Sequence, residues 1–378
     1  MKPPLRPSWI EIDLQTLRRN FALFAQDRPK GLKWLAVVKD RAYGHGMVEV
    51  AKVALEAGAA YLGVATLDEA VTLREHGIRA PILLFGERHP REYRTLLHYR
   101  LTPCINSVTA AAELVQQSGT HGRPPAVHVE VDTGLSRYGV RWTRAAETIL
   151  AMAAQKGLSL EGIMSHFAMS DELDKSYALL QLERFEQVLQ AVEQAGLRIP
   201  LRHMCNTGGY LDLPQAHFEM VRIGILPLGV YPSQVCRRIE GLRPVMCVKS
   251  RIAAIQEIEA GDKVGYGMHY TAPTPRRIAV LPIGYGDGLP RLRNRGHVLI
   301  HGKRAPIVGG NAMDATMVDI THIPRARQWD EVVIMGRQGD EEISAHEIAS
   351  WKGSVSYDIL TGWRARLPRV YLDGDRTS

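Results

Sequence analysis

A chain of 378 residues, 45% of them hydrophobic, can bury a sizeable core and is long enough for two domains. Its formal net charge of +7 permits nucleic-acid binding, but aromatics are only 7% and the basic residues are dispersed; the one dense cluster, Arg291, Arg293, Arg295, Lys303 and Arg304, reads as a solvated face, so no nucleic-acid partner is expected. No apolar run is long enough to span a membrane, the N-terminus lacks a secretory apolar region, and Cys104, Cys205, Cys236 and Cys247 show neither C-x-x-C nor metal-ligand spacing. The expectation is a cytoplasmic protein with reduced thiols, no membrane contact and no metal.

In chain order, residues 9–13 form a first strand that could belong to either domain. The run KWLAVV (33–38) is strand-like, and 46–58 has helical spacing. A strand at 61–65 follows, after which Thr66 is placed to cap a helix with Glu69 closing a capping box. Residues 81–85, 101–105, 126–131, 160–165 and 201–204 continue the strand series, separated by helical segments of which 176–196 is the longest. About eight β/α units before residue 240 favour a closed (β/α)8 barrel of the TIM type over an open sheet. After residue 240 the helical period fades. Runs at 251–258, 277–283, 298–300, 306–308, 316–320 and 331–335 read as strands between Gly, Pro and Asp turns, with one short helix at 345–351. The domains predicted are therefore 1–240, an α/β barrel, and 241–378, mainly β.

Five polar clusters stand where barrel strands end: Lys39, Asp132–Arg137, His166, Asn206 with Thr207, and Arg222 with Gly224 and Ile225. Barrel enzymes carry their reacting groups on that C-terminal rim, so the five imply one assembled site. Burial of Lys39 at a strand end would lower its ammonium pKa and expose a nucleophilic amine. The glycine-rich segments at 44–46, 207–209 and 222–224 would let backbone N–H groups approach a phosphate.

Those clusters sit in motifs that resemble the alanine racemase family. VVKDRAYGHG (37–46) is similar to the segment around the family's cofactor lysine. The likeness continues through DTGLSRYG (132–139), SHFA (165–168), HMCNTG (203–208), VRIG (221–224), Tyr266-Gly267, PIGYGDG (282–288), MDATMVDI (313–320) and SYDILTGWRARLPRVY (356–371). The resemblance implies an N-terminal barrel with a C-terminal β domain, and a homodimer in which each site is completed by the partner's β domain. It also implies pyridoxal 5'-phosphate held covalently by Lys39. Lys39 and a partner-supplied Tyr266 would then be the two catalytic bases on opposite faces of a small amino-acid substrate. His166 would bond that tyrosine, Arg222 would face the pyridine nitrogen, and His203 would orient Arg222. Tyr43, Asn206, Thr207, Gly224, Ile225 and Tyr357 would hold the cofactor, chiefly at its phosphate. Arg137 and the partner's Met313 would hold the substrate carboxylate, Tyr285 would line the entrance, and Glu130 and Asp314 would give support.

The chain departs from the family pattern at four places. Asp40 and Arg41 follow the lysine where a small residue and then Asn or Asp are usual. Gly310 replaces an arginine near the entrance, and Asn311-Ala312 replaces the usual pair before Met313. Glu130 stands where many members carry a carbamylated lysine. The activity implied is interconversion of L- and D-alanine, supplying D-alanine for peptidoglycan. The alternatives are a racemase of broader or different preference such as serine, a decarboxylase of the same architecture, and a catalytically silent cofactor-binding protein.

Overall fold

The computed structural model describes residues 5–119 and 124–374. Short Val-, Leu- and Ile-rich runs become strands buried on both faces, as parallel sheets require. In chain order the first ten strands are β1 (Ser8–Asp13), β2 (Lys33–Val37), β3 (Tyr61–Val64), β4 (Ile82–Leu84), β5 (Thr102–Pro103), β6 (Ala126–Asp132), β7 (Val140–Arg141), β8 (Ser159–Met164), β9 (Leu201–His203) and β10 (Met220–Ile223). All pairings among β2, β3, β4, β5, β6, β8, β9 and β10 that form ladders are parallel. The ring closes through a Cys104–His128 bridge beside β6, and through bonds from the N–H groups of Glu219 and Arg222 to Arg202 and Cys205 carbonyls. The result is the eight-stranded barrel expected, with β7 a short appendage on β6.

The helix Leu67–Glu75 starts at Thr66, whose hydroxyl accepts from Glu69 N–H while the Glu69 carboxylate accepts from Thr66 N–H, the reciprocal cap read from sequence. The longest barrel helix, Ser176–Gln194, buries Ala178, Leu182, Phe185, Val188 and Val192 on one face, a 3.6-residue stripe.

β1 does not enter the barrel. It lies in the second domain's sheet, antiparallel to Met246–Arg251 and parallel to Arg369–Leu372, so both ends of the chain meet there. The run expected as one strand over 251–258 is two strands, Met246–Arg251 and Ala254–Ile258, in different sheets. Ile252 and Ala253 form the corner between them: Ile252 N–H donates to Asp330 O and Ala253 N–H to Val280 O. A second three-stranded sheet joins Ala254–Ile258, Arg276–Leu281 and Thr316–Asp319. The helix Ser356–Gly362, too short to show a period in sequence, packs its Tyr357 against Tyr43 of the barrel with ring centroids 5.9 Å apart. Among the described residues no helix is long and apolar enough to cross a membrane.

Candidate active site

Lys39 stands two residues beyond the end of β2 and opens an unusual turn. Asp40, Arg41, Ala42 and Tyr43 all have φ between 50 and 55°, a left-handed helical turn built without glycine. Each such residue costs roughly 1–2 kcal/mol, so the turn must be held from outside. Asp40 N–H donates to the Glu69 carboxylate at 2.5 Å, Ala42 N–H to Val38 O at 2.8 Å, and Gly46 N–H to Arg41 O at 2.7 Å. The buried His45 donates its ring N–H back to the carbonyls of Tyr43 and Ala42. The capping glutamate therefore serves both the helix Leu67–Glu75 and the lysine turn. Lys39 Nζ lies 5.9 Å from the centroid of the Phe85 ring. Burial, then the nearby Arg137 cation, push its ammonium pKa down, which raises the fraction of free amine.

Arg222 is not beyond its strand, as the sequence suggested, but the third residue of β10, with its side chain inside the barrel and 3% exposed. The strand begins two residues later than expected, at Met220, because Phe218 adopts a positive φ and breaks the run. The guanidinium is bonded on both forks. Nη1 donates to His203 Nδ1 at 2.9 Å and to His203 O at 3.1 Å. Nη2 donates to His166 Nδ1 at 2.9 Å, Ser165 O at 2.7 Å and Met204 O at 3.0 Å. Burial brings its pKa down to about 10, still cationic at neutral pH. An arginine offers no lone pair, so both imidazoles must accept at Nδ1 and carry their proton on Nε2. Burial, then the Arg222 charge, hold His166 well below the ordinary imidazole range; burial does the same for His203, so both rings are neutral.

The loop after β6 is shaped by Asp132, whose Oδ1 accepts from Gly134 N–H at 3.0 Å and Ser136 N–H at 2.9 Å. This turn carries Arg137 back over the site, close enough to act on Lys39, His166 and Glu130. Glu130, on the same inward face of β6, is buried with Oε1 3.9 Å from Arg137 Nη2. Burial pushes its carboxyl above the usual carboxylate range.

Tyr43 meets the Tyr357 ring and Gly224, while Thr207 opens the helix Thr207–Asp212 and Ile225 stands two residues beyond the end of β10. A Cβ on Gly224 would stand 2.5 Å from the Tyr43 hydroxyl, so only glycine allows this approach. Among the described residues neither the Tyr43 nor the Tyr357 hydroxyl has a protein hydrogen-bond partner, although both rings are largely buried. The hydroxyl of Ser356, the residue before Tyr357, is buried without a partner. Asn206 caps the helix Thr207–Asp212, accepting from Gly209 N–H and the Ser170 hydroxyl.

Tyr266, Met313, Asp314 and Tyr285 form a separate group on the β domain. Tyr285 N–H donates to Ala312 O and Gly286 N–H to Met313 O, which locks the two turns together. The Tyr266 carbonyl lies 3.2 Å from where a Gly310 Cβ would stand, and Asp314 pairs with Arg366 at 2.5 Å. Tyr266 is 70% exposed and Met313 51%, and no hydrogen bond or ring contact joins them to the barrel group among the described residues.

Three contributors were not singled out from sequence. Phe85, His128 and Gln181 each sit where an apolar residue would pass unnoticed. Gln181 was legible as a lone amide on the apolar stripe of Ser176–Gln194; it receives Ala168 N–H and donates to His166 O and Thr133 Oγ1, fixing the backbone that carries His166.

Two family descriptions, "Alanine racemase, N-terminal domain" and "Alanine racemase, C-terminal domain", match residues 12–232 and 245–371. The chain belongs to the alanine racemase family. The alanine racemase of Desulfosudis oleivorans is 40% identical over 383 residues, covering 98% of each chain. The solved alanine racemase of Clostridium difficile superposes with a TM-score of 0.93 at 33% identity, covering 98% of this chain and 97% of the other. A histidine racemase from Leuconostoc mesenteroides superposes with a TM-score of 0.87 at 28% identity, covering 98% of this chain and all of the other. The alanine racemase architecture is thus shared with a solved racemase named for another amino acid.

Proposed function

We propose that the chain interconverts L- and D-alanine with pyridoxal 5'-phosphate as cofactor, in the cytoplasm, as a homodimer supplying D-alanine for peptidoglycan. The observation that carries the reading is Arg222, buried and doubly bonded to two neutral histidines, on the floor of a site whose rim holds a part-buried lysine of depressed pKa.

The residues fit the cofactor. Two phenols without protein partners, their ring centroids 5.9 Å apart, stand beside a glycine whose Cβ would collide with one of them, a donor set suited to a phosphate. When bound, the cofactor makes the Cα–H bond of an amino acid acidic by drawing its electrons into the ring. Everything else falls to the protein. Tyr43, Thr207, Gly224, Ile225 and Tyr357 hold the phosphate, with Asn206 shaping the turn that carries Thr207. Lys39 Nζ would hold the cofactor covalently; once displaced by the substrate's amino group, its free amine would take or return the Cα proton on one face. Arg222 would face the pyridine nitrogen. As a cation with no easily lost proton, it would donate a hydrogen bond there without protonating the ring, which would keep charge on Cα and favour return of the proton over side reactions.

The opposite face needs a second base, because a proton must leave one side of Cα and return to the other. Tyr266 is exposed and, among the described residues, makes no hydrogen bond or ring contact with the barrel group of its own chain, so it is assigned to the site of a second copy, with Met313. His166, fixed with N–H on Nε2, would donate to that tyrosine and stabilise its phenolate. Arg137, held by Glu130, receives the substrate carboxylate; Tyr285 lines the entrance and Asp314 steadies Met313 through Arg366.

Chiral chromatography of each L- and D-enantiomer of alanine, serine and histidine, incubated with cofactor-loaded protein, tests the reading. Alanine is expected to racemise fastest, in both directions. Faster serine or histidine turnover replaces the substrate; decarboxylation products, or no turnover by a cofactor-loaded protein, overturn racemisation.

A further inference from the structure

Below Arg222, polar side chains follow one another along the barrel among Leu35, Leu83, Cys104, Met164, Leu201 and Met220. With Arg222 donating to its Nδ1, His203 carries its proton on Nε2 and donates it to His128 Nδ1 at 2.8 Å. His128 must then carry its own proton on Nε2, which lies 3.9 Å from Glu161 Oε2, beyond hydrogen-bond reach. The other oxygen of Glu161 accepts from the Tyr61 hydroxyl at 2.5 Å. Tyr61 opens β3 and Glu161 lies near the start of β8, so the line descends from the C-terminal rim to the opposite mouth of the barrel.

Two imidazoles without exposed surface are costly where valine or leucine would pack. Burial lowers His128 to about 3 and leaves both rings neutral, so each has one donor and one acceptor. Only one arrangement of protons then serves every bond. Room for the second ring comes from Gly162, where a Cβ would stand 2.5 Å from His128 Nδ1 and Cε1. Protonated, or flipped to its other tautomer, His203 would present N–H to the guanidinium and repel it.

We infer that His128 is a positioning residue for Arg222: acting through His203, it fixes the imidazole tautomer that receives the guanidinium. The inference rests on the placement of Arg222 at the pyridine nitrogen.

The test compares cofactor-loaded wild type with His128→Leu, which removes the acceptor, and His128→Asn, whose Oδ1 can stand in for Nδ1. Nitrogen-15 histidine spectra of the wild type should show His203 and His128 protonated at Nε2 and bare at Nδ1. His128→Leu should shift the visible band of the bound cofactor and lower kcat about tenfold or more with KM nearly unchanged, the scale seen when a partner orienting an imidazole is removed. His128→Asn should restore both band and kcat. A His203 proton on Nδ1, or wild-type kcat and spectrum in His128→Leu, overturns the inference. So does equal impairment of both variants in step with their loss of thermal stability, which marks a packing role alone. If His128→Leu does not fold, the tautomer and His128→Asn decide: a wild-type band and kcat in His128→Asn with Nε2-protonated His203 support the inference, and impairment overturns it. Arg222→Lys is the control: if it changes neither band nor kcat, the placement of Arg222 itself fails, whereas an impaired Arg222→Lys beside an unaffected His128→Leu sinks only the line below it.

Discussion

Glu130→Gln should separate substrate binding from folding. The Glu130 carboxylate is 4% exposed and lies 3.9 Å from the Arg137 guanidinium. A unit charge pair at that distance is worth about 4 kcal/mol at an effective dielectric of about 20. Arg137 is 46% exposed, so solvent screens the pair to about 1–2 kcal/mol. Losing that orientation should raise KM for alanine about 5- to 30-fold, with kcat little changed because Glu130 touches no reacting atom. Folding should move the other way. Burial raises the Glu130 pKa above its ordinary 4.5, so the folded chain holds this proton more tightly than the unfolded chain does. Stability from this group is then present below the unfolded pKa and is lost as pH rises through the folded one. Glutamine carries no buried charge, and the variant should melt at the same or a higher temperature at pH 7. Its advantage should shrink as the pH is lowered to 5. Initial rates in both directions, with thermal melts across that pH range, read both effects. Wild-type KM in the variant, or a requirement for bicarbonate in the unmutated enzyme, would refute the pairing of Glu130 with Arg137.

Lys39→Ala should abolish the visible absorbance of covalently bound cofactor, and borohydride reduction of the wild type should place the adduct on Lys39; an adduct on another lysine sinks the assignment. Tyr266→Phe should retain cofactor absorbance yet lose at least about 10²-fold in racemisation, the scale for a positioned general base. Mixing inactive Lys39→Ala with inactive Tyr266→Phe should recover activity as subunits exchange, and no recovery despite demonstrated exchange would make the site self-contained. Gly224→Ala should weaken cofactor affinity by at least about tenfold, since its Cβ would stand 2.5 Å from the Tyr43 hydroxyl; unchanged affinity by titration of the apoprotein would remove Gly224 from the phosphate site.

Periodicity located most of the barrel because buried parallel strands and amphipathic helices each repeat on a short, local rule. Where the reading slipped, the cause was non-local. The stretch 251–258 is uniformly strand-like in composition, and only the corner at Ile252 and Ala253, pinned by Asp330 and Val280, divides it between two sheets. Arg222 seemed to follow its strand because Phe218 and Val221 look like strand residues, yet the positive φ at Phe218 delays β10. The helix Ser356–Gly362 has too few turns to show a period.

The candidate site divides in the same way. Lys39, the Asp132 turn, the capping box at Thr66 and the order of motifs are properties of neighbouring residues, and the chain by itself determined them. Tertiary structure decided which of those residues share a charge field and where each proton resides. The tautomers of His166 and His203 follow from one guanidinium on a third strand, because arginine can only donate. His128 gains meaning only when β6 lies beside β8 and a glycine faces it. Tyr266 is exposed because it lies in a short turn between Lys263–Val264 and Tyr270–Thr271, two strands that pair with each other and stand apart from the sheet holding β1 and the C-terminal strand. No local pattern encodes such placements, since they depend on residues brought together from distant parts of the chain.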